Sequence, residues 1–121
     1  MANPPNPTVQ WGELYWLDWN SARGSEQAGR RPALVIQENP ASANPNYPLT
    51  IVVAVSSQGR AIPTHVLLEP SANNGLSARS FVKCEQIQTV SKARLIQRIG
   101  VVDPEVLEEV EVALKKVLAL S

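Results

Sequence analysis

The run Leu49–Ser56 (LTIVVAVS) constrains the fold of this 121-residue chain more than any other feature. It is continuous, apolar and rich in β-branched residues, a pattern typical of a strand that is buried on both faces. A strand covered on both faces lies inside a fold and not on its surface. We therefore predict a sheet that has this run as its central strand.

Weaker strand patterns lie on both sides of the central run. Polar, glycine- or proline-rich segments separate them, and we predict loops at residues 20–30 and 38–48. Pro32 is expected at the first position of its strand, because proline has no amide hydrogen to donate to a ladder. The remaining strands are predicted at residues 13–19, 32–37, 65–69, 80–88 and 96–102.

A helix is predicted at the C-terminal end. Asp103 and Pro104 form a helix start, with an acidic N-cap followed by proline at the first position. Apolar residues from Val106 to Leu118 then follow a helical stripe, and Ser91 is expected to cap a short helical turn before the last strand. The order of elements predicts a mainly β fold, a small and strongly curved barrel or open sheet, with one C-terminal helix packed on it.

The composition limits the classes of protein to which the chain can belong. Its length predicts one domain, residues 11–121, preceded by a flexible, proline-rich segment, residues 1–10. The longest apolar run has five residues, 51–55, so we predict no membrane span, and a single cysteine excludes an internal disulfide framework. We therefore expect a soluble cytoplasmic domain.

The charge balance argues against binding to nucleic acid by bulk charge alone. The chain has 11 basic and 11 acidic side chains, so its formal net charge is zero. The charges are nevertheless unevenly spread: residues 60–98 carry six basic and two acidic side chains, whereas residues 103–121 carry two basic and five acidic ones. One face could therefore attract an anion while the C-terminal segment repels it.

The sequence offers few residues that could bind a metal or act as a catalytic nucleophile. His65 and Cys84 are the only histidine and cysteine, and we interpret both as structural. Arginine chemistry remains, because Arg30 and Arg31 lie where the first long loop enters a strand, and a guanidinium suits a phosphate. Ser56 ends the central strand, where its hydroxyl could donate to a phosphate oxygen.

Three tryptophans near the N-terminus admit two interpretations. Trp11, Trp16 and Trp19 could stack on nucleobases. We favour instead a core position for Trp16, with Trp11 and Trp19 packed at the barrel edge or at a dimer interface.

Several ordered motifs resemble the MazF/PemK family of toxin endoribonucleases. The most specific is G-S-E-Q…G-R-R-P-A-L-V-I over residues 24–36. Further matches are G-E-L-Y-W-L-D at 12–18, I-V-V-A-V-S at 51–56, P-T-H-V at 63–66 and C-E-Q-I-Q-T-V at 84–90. The resemblance extends from about residue 11 to the C-terminus.

The resemblance implies a fold, an activity and partners. It implies an SH3-like barrel with a C-terminal helix, acting as a homodimer. It implies cleavage of single-stranded RNA, usually mRNA, at a short sequence, without a metal or cofactor, to give 2′,3′-cyclic phosphate and 5′-hydroxyl ends. A cognate antitoxin encoded alongside should hold the activity off by presenting an extended, acidic and apolar tail to the RNA groove.

The resemblance also implies site residues. Arg31 matches an arginine that is essential in the family and is often assigned proton transfer. Ser56 takes the place of a small hydroxyl residue that is commonly threonine, and Gln86 matches a position near the substrate groove. The RNA-contacting loop corresponds to Gly24, Ser25, Glu26 and Gln27.

The chemistry of arginine refines the role of Arg31. A guanidinium has a pKa above about 12 and is a poor base near neutral pH. We therefore interpret Arg31 mainly as a stabiliser of the phosphorane charge, or as a proton donor to the 5′-oxygen, while the RNA supplies its own 2′-hydroxyl as nucleophile. Ser56 lacks the methyl group that restricts χ1 in threonine, so its hydroxyl is less constrained.

Two other functions fit the same barrel. One is a non-catalytic toxin that binds gyrase, and the other is an SH3-like interaction module whose nuclease site has decayed. Arg31, Ser56 and the G-S-E-Q loop favour the nuclease. Incubation with RNA in EDTA distinguishes the nuclease, which cuts the RNA, from the gyrase-binding toxin, which does not. Normal growth on expression without antitoxin would indicate the decayed module.

Overall fold

The structure is a computed structural model that describes residues 8–19 and 29–121. This part of the chain forms a sheet, two α-helices and a short 3-10 helix at Lys92–Arg94. The prediction of a mainly β fold with a C-terminal helix is confirmed. The elements are β1 Glu13–Asp18, β2 Arg30–Val35, α1 Asn39–Ser42, β3 Leu49–Ser56, β4 His65–Leu68, β5 Ser80–Ser91, β6 Leu95–Val101 and α2 Pro104–Val117.

The six strands form one antiparallel sheet in the order β4-β5-β3-β2-β1-β6. β3 lies between β5 and β2, as its apolar run predicts. The two edge strands approach each other through the turn after β4, where the Val101 amide donates to the Asn73 carbonyl at 2.9 Å. Gly75 in this turn has φ +68°, and an added Cβ would lie 2.4 Å from the Ile99 carbonyl oxygen. The glycine therefore allows the turn to lie directly against β6.

Side chains on the two faces of the sheet form two cores. The helix-side core lies under α2, and the opposite-face core lies on the other side of β1, β2 and β3. Alternation along β3 assigns Val53 and Val55 to the first and Val52 and Ala54 to the second, and all four are fully buried. Burial on both faces explains why this strand carries no polar alternation.

The strand bounds differ from the prediction in β2 and β5. β2 begins at Arg30, so Pro32 is its third residue and not its first. The β2–β3 ladder begins only at Ala33, and Pro32 pairs with Trp16 of β1 alone. The Ile36 amide donates to the Ile51 carbonyl, so the alternation along β2 turns the nitrogen of Pro32 toward β3 as well. Because proline has no amide hydrogen to donate there, the ladder to β3 starts one residue later. β5 also continues to Ser91, beyond the predicted end.

The predicted loop at residues 38–48 contains α1 and is held by a buried lysine. Lys92 is fully buried, and its ammonium donates to the carbonyls of Ala41 at 3.1 Å and Asn44 at 2.9 Å. Burial lowers the pKa of this ammonium. Lys92 therefore fixes a surface segment and adds little to the basic surface that the sequence predicted. The predicted cap is confirmed, since Ser91 Oγ accepts from the Ala93 amide.

The prediction for the tryptophans is wrong for two of them. Trp19 is buried in the opposite-face core together with Tyr15 and Leu17, whereas Trp16 is 38% exposed. The three core residues are two positions apart in the strand direction, so alternation turns Trp16 to the other face. Leu14 on that same face is buried in the helix-side core, but Trp16 lies beyond that core and stays exposed.

The N-terminal segment was predicted to be flexible over residues 1–10. Residues 1–7 lie outside the described part of the chain. Val9 is fully buried in the opposite-face core, and the Thr8 carbonyl accepts from the Tyr15 hydroxyl at 3.4 Å. Packing of the domain therefore begins before residue 11.

Candidate functional site

Arg31 and Ser56 lie at the same end of two neighbouring strands. The β2–β3 register pairs Ala33 with Ala54, and continuing it by two residues sets Arg31 across from Ser56. Residues two apart on a strand share a face, so both side chains lie on the face of the two alanines. The antiparallel pairing thus places the two residues that were predicted to act on a phosphate at the same end of the sheet and on the same face.

Ser56 is held more tightly than its position at a strand end implies. The residue is only 7% exposed, and its Oγ accepts from the Gln58 amide at 3.0 Å. This bond is a local serine turn that fixes the oxygen and leaves the hydroxyl hydrogen available for donation. A hydroxyl in this state can serve as a hydrogen-bond donor to a phosphate oxygen.

Arg31 is exposed, but the backbone that carries it is fixed. It pairs with Leu17 of β1, and its carbonyl accepts from the Trp19 indole Nε1 at 3.3 Å. Neighbouring Arg30 is also exposed and pairs with Asp18. The start of β2 therefore carries two exposed arginines, whose side chains leave the strand toward opposite faces of the sheet.

The other predicted RNA-binding residues are placed less closely. Gln86 is half-buried in an irregular stretch of β5, where Ala54 pairs with Lys83 and the preceding Val53 pairs with Ile87. Gln86 lies in this bulge of β5, next to Val53 and Ala54 of β3, which precede Ser56 in the same strand. Gly24, Ser25, Glu26 and Gln27 lie outside the described residues, so the predicted role of the G-S-E-Q loop stays a prediction.

Cys84 and His65 are structural, as the sequence predicted. Cys84 is fully buried in the helix-side core, and burial, followed by the charge of Glu85, raises the pKa of its thiol to about 12. His65 Nε2 lies 2.9 Å from Glu85 Oε2, and its Nδ1 accepts from the Arg60 amide at 3.2 Å. Both ring nitrogens are therefore occupied. Within residues 8–19 and 29–121, no group of three His, Cys, Asp or Glu side chains could hold a metal ion.

A separate groove of about 810 Å³ lies between α2 and the β4 edge of the sheet. Ile62, Leu67 and Val112 line its apolar part, and Glu105, Glu108 and Glu109 of α2 line one wall. Arg31 and Ser56 are not among its lining residues. Because a row of carboxylates repels a polyanion, this groove is not a phosphate site.

The sequence did not reveal how the segment after Ser56 is held. Arg60 and His65 are five residues apart, and Glu85 is 20 residues beyond His65. No spacing rule links such positions, and only the resemblance to P-T-H-V marked this stretch. The pairing of β4 with β5 creates the contact.

Comparisons with known proteins agree on one family. A family model described as "PemK-like, MazF-like toxin of type II toxin-antitoxin system" matches residues 10–118. The chain is 38% identical over 114 residues to "Endoribonuclease EndoA" of Bacillus subtilis (strain 168), covering 93% of this chain and 96% of that protein. No helix in the described part of the chain is long and apolar enough to cross a membrane.

Solved structures show the same fold. The crystal structure of MazF (Form-I) from Deinococcus radiodurans superposes with a TM-score of 0.77 at 27% identity, covering 94% of this chain and 99% of that one. The MazE-MazF structure (Form-II) from the same organism matches with a TM-score of 0.73 at 28% identity, covering 95% and 99%.

Proposed function

The chain belongs to the family of PemK-like, MazF-like toxins of type II toxin–antitoxin systems, and from this premise we propose that it is a sequence-specific endoribonuclease toxin. The Bacillus subtilis relative, which is similar over 93% of this chain, is named an endoribonuclease. The observation that carries the proposal is that Arg31, near the start of β2, and Ser56, at the end of β3, lie at the same end of two neighbouring antiparallel strands. The two together supply a cation and a hydroxyl donor for one phosphate.

The proposed reaction is transesterification within the RNA. The 2′-hydroxyl oxygen attacks the adjacent phosphorus and loses its proton, and the bond from phosphorus to the 5′-oxygen breaks. The 5′-oxygen takes up a proton, so that the products are a 2′,3′-cyclic phosphate and a 5′-hydroxyl. Because the nucleophile belongs to the substrate, a ribose is required at the cleaved position.

The two side chains act on the charge that develops on the phosphate. In the phosphorane, negative charge accumulates on the non-bridging oxygens, which a planar guanidinium can bind through two parallel donors. Arg31 supplies these donors from a fixed strand, and the Ser56 hydroxyl supplies one more. Arg30 leaves β2 toward the other face and is proposed to add positive potential at the same strand end, and Gln86 is proposed to line the RNA groove.

The proposed partners are single-stranded RNA, a cognate antitoxin and a second copy of the chain. The solved MazE-MazF complex of a family member supports the antitoxin. An acidic, apolar tail would compete with RNA by placing carboxylates against Arg30 and Arg31. Because the proposed substrate is cellular RNA, usually mRNA, we expect the protein to act in the cytoplasm.

The test is cleavage of a mixed-sequence RNA by the purified protein in excess EDTA. We expect discrete fragments with cyclic phosphate and 5′-hydroxyl ends. Once a site is mapped, the same oligonucleotide with one 2′-deoxy nucleotide at the cleaved position should stay intact. Cleavage of that oligonucleotide would rule out attack by the 2′-hydroxyl.

Failure to cut any RNA would instead favour the gyrase-binding toxin or the decayed module. A supercoiling assay with gyrase and a growth assay without antitoxin then distinguish these two. Mapping of 5′-hydroxyl ends across a transcriptome after induction gives the cleavage sequence and shows whether mRNA, tRNA or rRNA is cut.

A further inference from the structure

The segment that follows Ser56 passes over β5 to reach β4 on its far side, and several hydrogen bonds hold it. The Gln58 amide donates to Ser56 Oγ at 3.0 Å, and the Arg60 amide donates to His65 Nδ1 at 3.2 Å. The Ile62 amide donates to the Arg60 carbonyl at 2.9 Å. The loop of residues 57–62 is thus tied to the last residue of β3 at one end and to the first residue of β4 at the other.

The side chain of Phe81 packs against the same loop. Phe81 of β5 pairs with Ser56, and the backbone of Gly59 lies on the Phe81 ring. A Cβ added at Gly59 would lie 2.5 Å from the ring, so no larger residue fits without movement. The His65 ring lies 6.3 Å from the Phe81 ring, centroid to centroid. The loop therefore rests on one aromatic side chain and is fixed by one imidazole.

The hydrogen bonds of His65 assign its tautomer. Because Nδ1 accepts from the Arg60 amide, the proton of the neutral ring is on Nε2, which donates to Glu85. The His65 side chain is only 7% exposed. An imidazole with both nitrogens engaged and so little exposure is unsuited to proton transfer with a substrate but well suited to hold a backbone amide.

We propose that His65 is a positioning residue for RNA cleavage, which acts by holding the 57–62 loop and, through that loop, the hydroxyl of Ser56. The inference rests on the proposed function. Serine has no γ-methyl group to restrict χ1, so the rotamer of Ser56 depends on its bond to the Gln58 amide. That amide is two residues from the amide that His65 fixes. Displacing the loop therefore frees the hydroxyl, and a shift of about 1 Å at a reacting group can lower the rate about 100-fold.

Two substitutions at the same position separate the two bonds of the ring. His65→Asn places an amide oxygen where Nδ1 lies, so it still accepts from Arg60 but no longer reaches Glu85. His65→Gln places an amide nitrogen where Nε2 lies, so it still donates to Glu85 but leaves the Arg60 amide without its acceptor. The variants differ by one methylene and each retains one of the two bonds.

The inference predicts that the two variants differ in turnover. We expect kcat of His65→Asn to stay within about threefold of the wild-type value and kcat of His65→Gln to fall by at least about tenfold, with KM little changed in both. Hydrogen exchange of the Arg60 amide, measured by NMR without RNA, should be slow in the wild type and in His65→Asn and fast in His65→Gln. Melting temperatures of both variants check that each is folded.

The outcomes separate the inference from the proposed function. Equal kcat values for two folded variants, together with an active wild type, would overturn the inference and leave the function standing. A protected Arg60 amide in a wild-type protein that cuts no RNA would overturn the function, and the positioning role with it. If His65→Gln does not fold, His65→Ala is compared with His65→Asn in the same way, since alanine also leaves the Arg60 amide without its acceptor.

Discussion

At the scale of single residues, the proposed site combines one exposed and one buried side chain. Arg31 projects from a strand that is fixed on its β1 side, whereas Ser56 is almost fully buried and already accepts one hydrogen bond. Strand pairing fixes the backbone of Arg31, and a planar guanidinium can bind a phosphate through its charge and two parallel hydrogen bonds.

Replacement of Arg31 tests this role. Because Arg31 is exposed, Arg31→Ala should leave the protein folded and lower kcat/KM for RNA by about 10² to 10³, the usual cost of one preorganised donor. Single-turnover cleavage of a defined RNA measures the effect. Arg79→Ala is the matched control, since Arg79 is also exposed and its ion pair with Glu69 is a surface pair. Full activity of Arg31→Ala would place the site elsewhere.

The charge of Glu85 gives a prediction for pH. Partial burial by itself raises the pKa of this carboxyl, but hydrogen bonds from His65, from the backbone and from Thr64 outweigh it and leave the pKa below its usual value. A carboxyl with a lowered folded-state pKa stabilises the fold above its unfolded pKa, and the contribution is lost as the pH falls through the folded value.

We therefore expect wild type to be more stable than Glu85→Gln at pH 7, and the difference to shrink as the pH falls below about 4.5, the ordinary value. Urea unfolding of both proteins between pH 3 and pH 7 measures it. A difference that stays constant over this range would mean that the charge of Glu85 does not contribute.

At the scale of elements, α2 has one face packed in the core and another exposed in the groove. Val110 and Ala113 are buried in the helix-side core, whereas Val112 is 54% exposed in the groove. Asp103 begins the helix without a side-chain cap, and its carboxylate instead accepts from Asn73 Nδ2 at 3.0 Å. The helix is thus joined both to the sheet face and to the turn that follows β4.

A pair of identical substitutions separates these environments. Val110→Ala leaves a cavity in the core and should lower the free energy of unfolding by on the order of 2 kcal/mol. Val112→Ala removes only partly exposed surface and exchanges a β-branched residue for a better helix former, so the change should be within about 0.5 kcal/mol. Urea unfolding compares the two. Equal losses would show that α2 does not pack as described.

At the scale of the whole molecule, charge is segregated in a chain whose net charge is zero. The start of β2 presents Arg30 and Arg31, and the wall of the groove on α2 presents Glu105, Glu108 and Glu109. If the proposed site binds RNA, we expect this segregation of charge to set the orientation of the RNA rather than its overall affinity.

The proposed homodimer is tested at this scale. Exposed Leu67 and Val112 share the groove with Ile62, and apolar surface of this kind favours association. Sedimentation equilibrium at tens of micromolar should give twice the 13.2 kDa mass of the chain. A single species of 13.2 kDa under these conditions would contradict the dimer.

The sequence by itself determined the order of the six strands along the chain, the C-terminal helix and the family, but it missed α1. Local patterns do not depend on distant partners, so the central strand, the start of α2 at Asp103-Pro104 and the cap at Ser91 were predicted correctly. The assignment of the tryptophans to a face failed: Trp16 was predicted to be core and is 38% exposed, whereas Trp19 was predicted at an edge or interface and is buried. Pro32 was misplaced because its tolerance depends on where the neighbouring ladder begins.

Only the tertiary structure decided how these elements meet. The antiparallel β2–β3 pairing places Arg31 and Ser56 at the same strand end, the β4–β5 pairing joins His65 to Glu85, and the fold buries Lys92 against Ala41 and Asn44. Each of these arrangements involves residues that are far apart in the chain, and it depends on burial and strand register rather than on local preference. A one-dimensional pattern specifies which segments are extended or helical, but strand order and register are properties of the packed sheet.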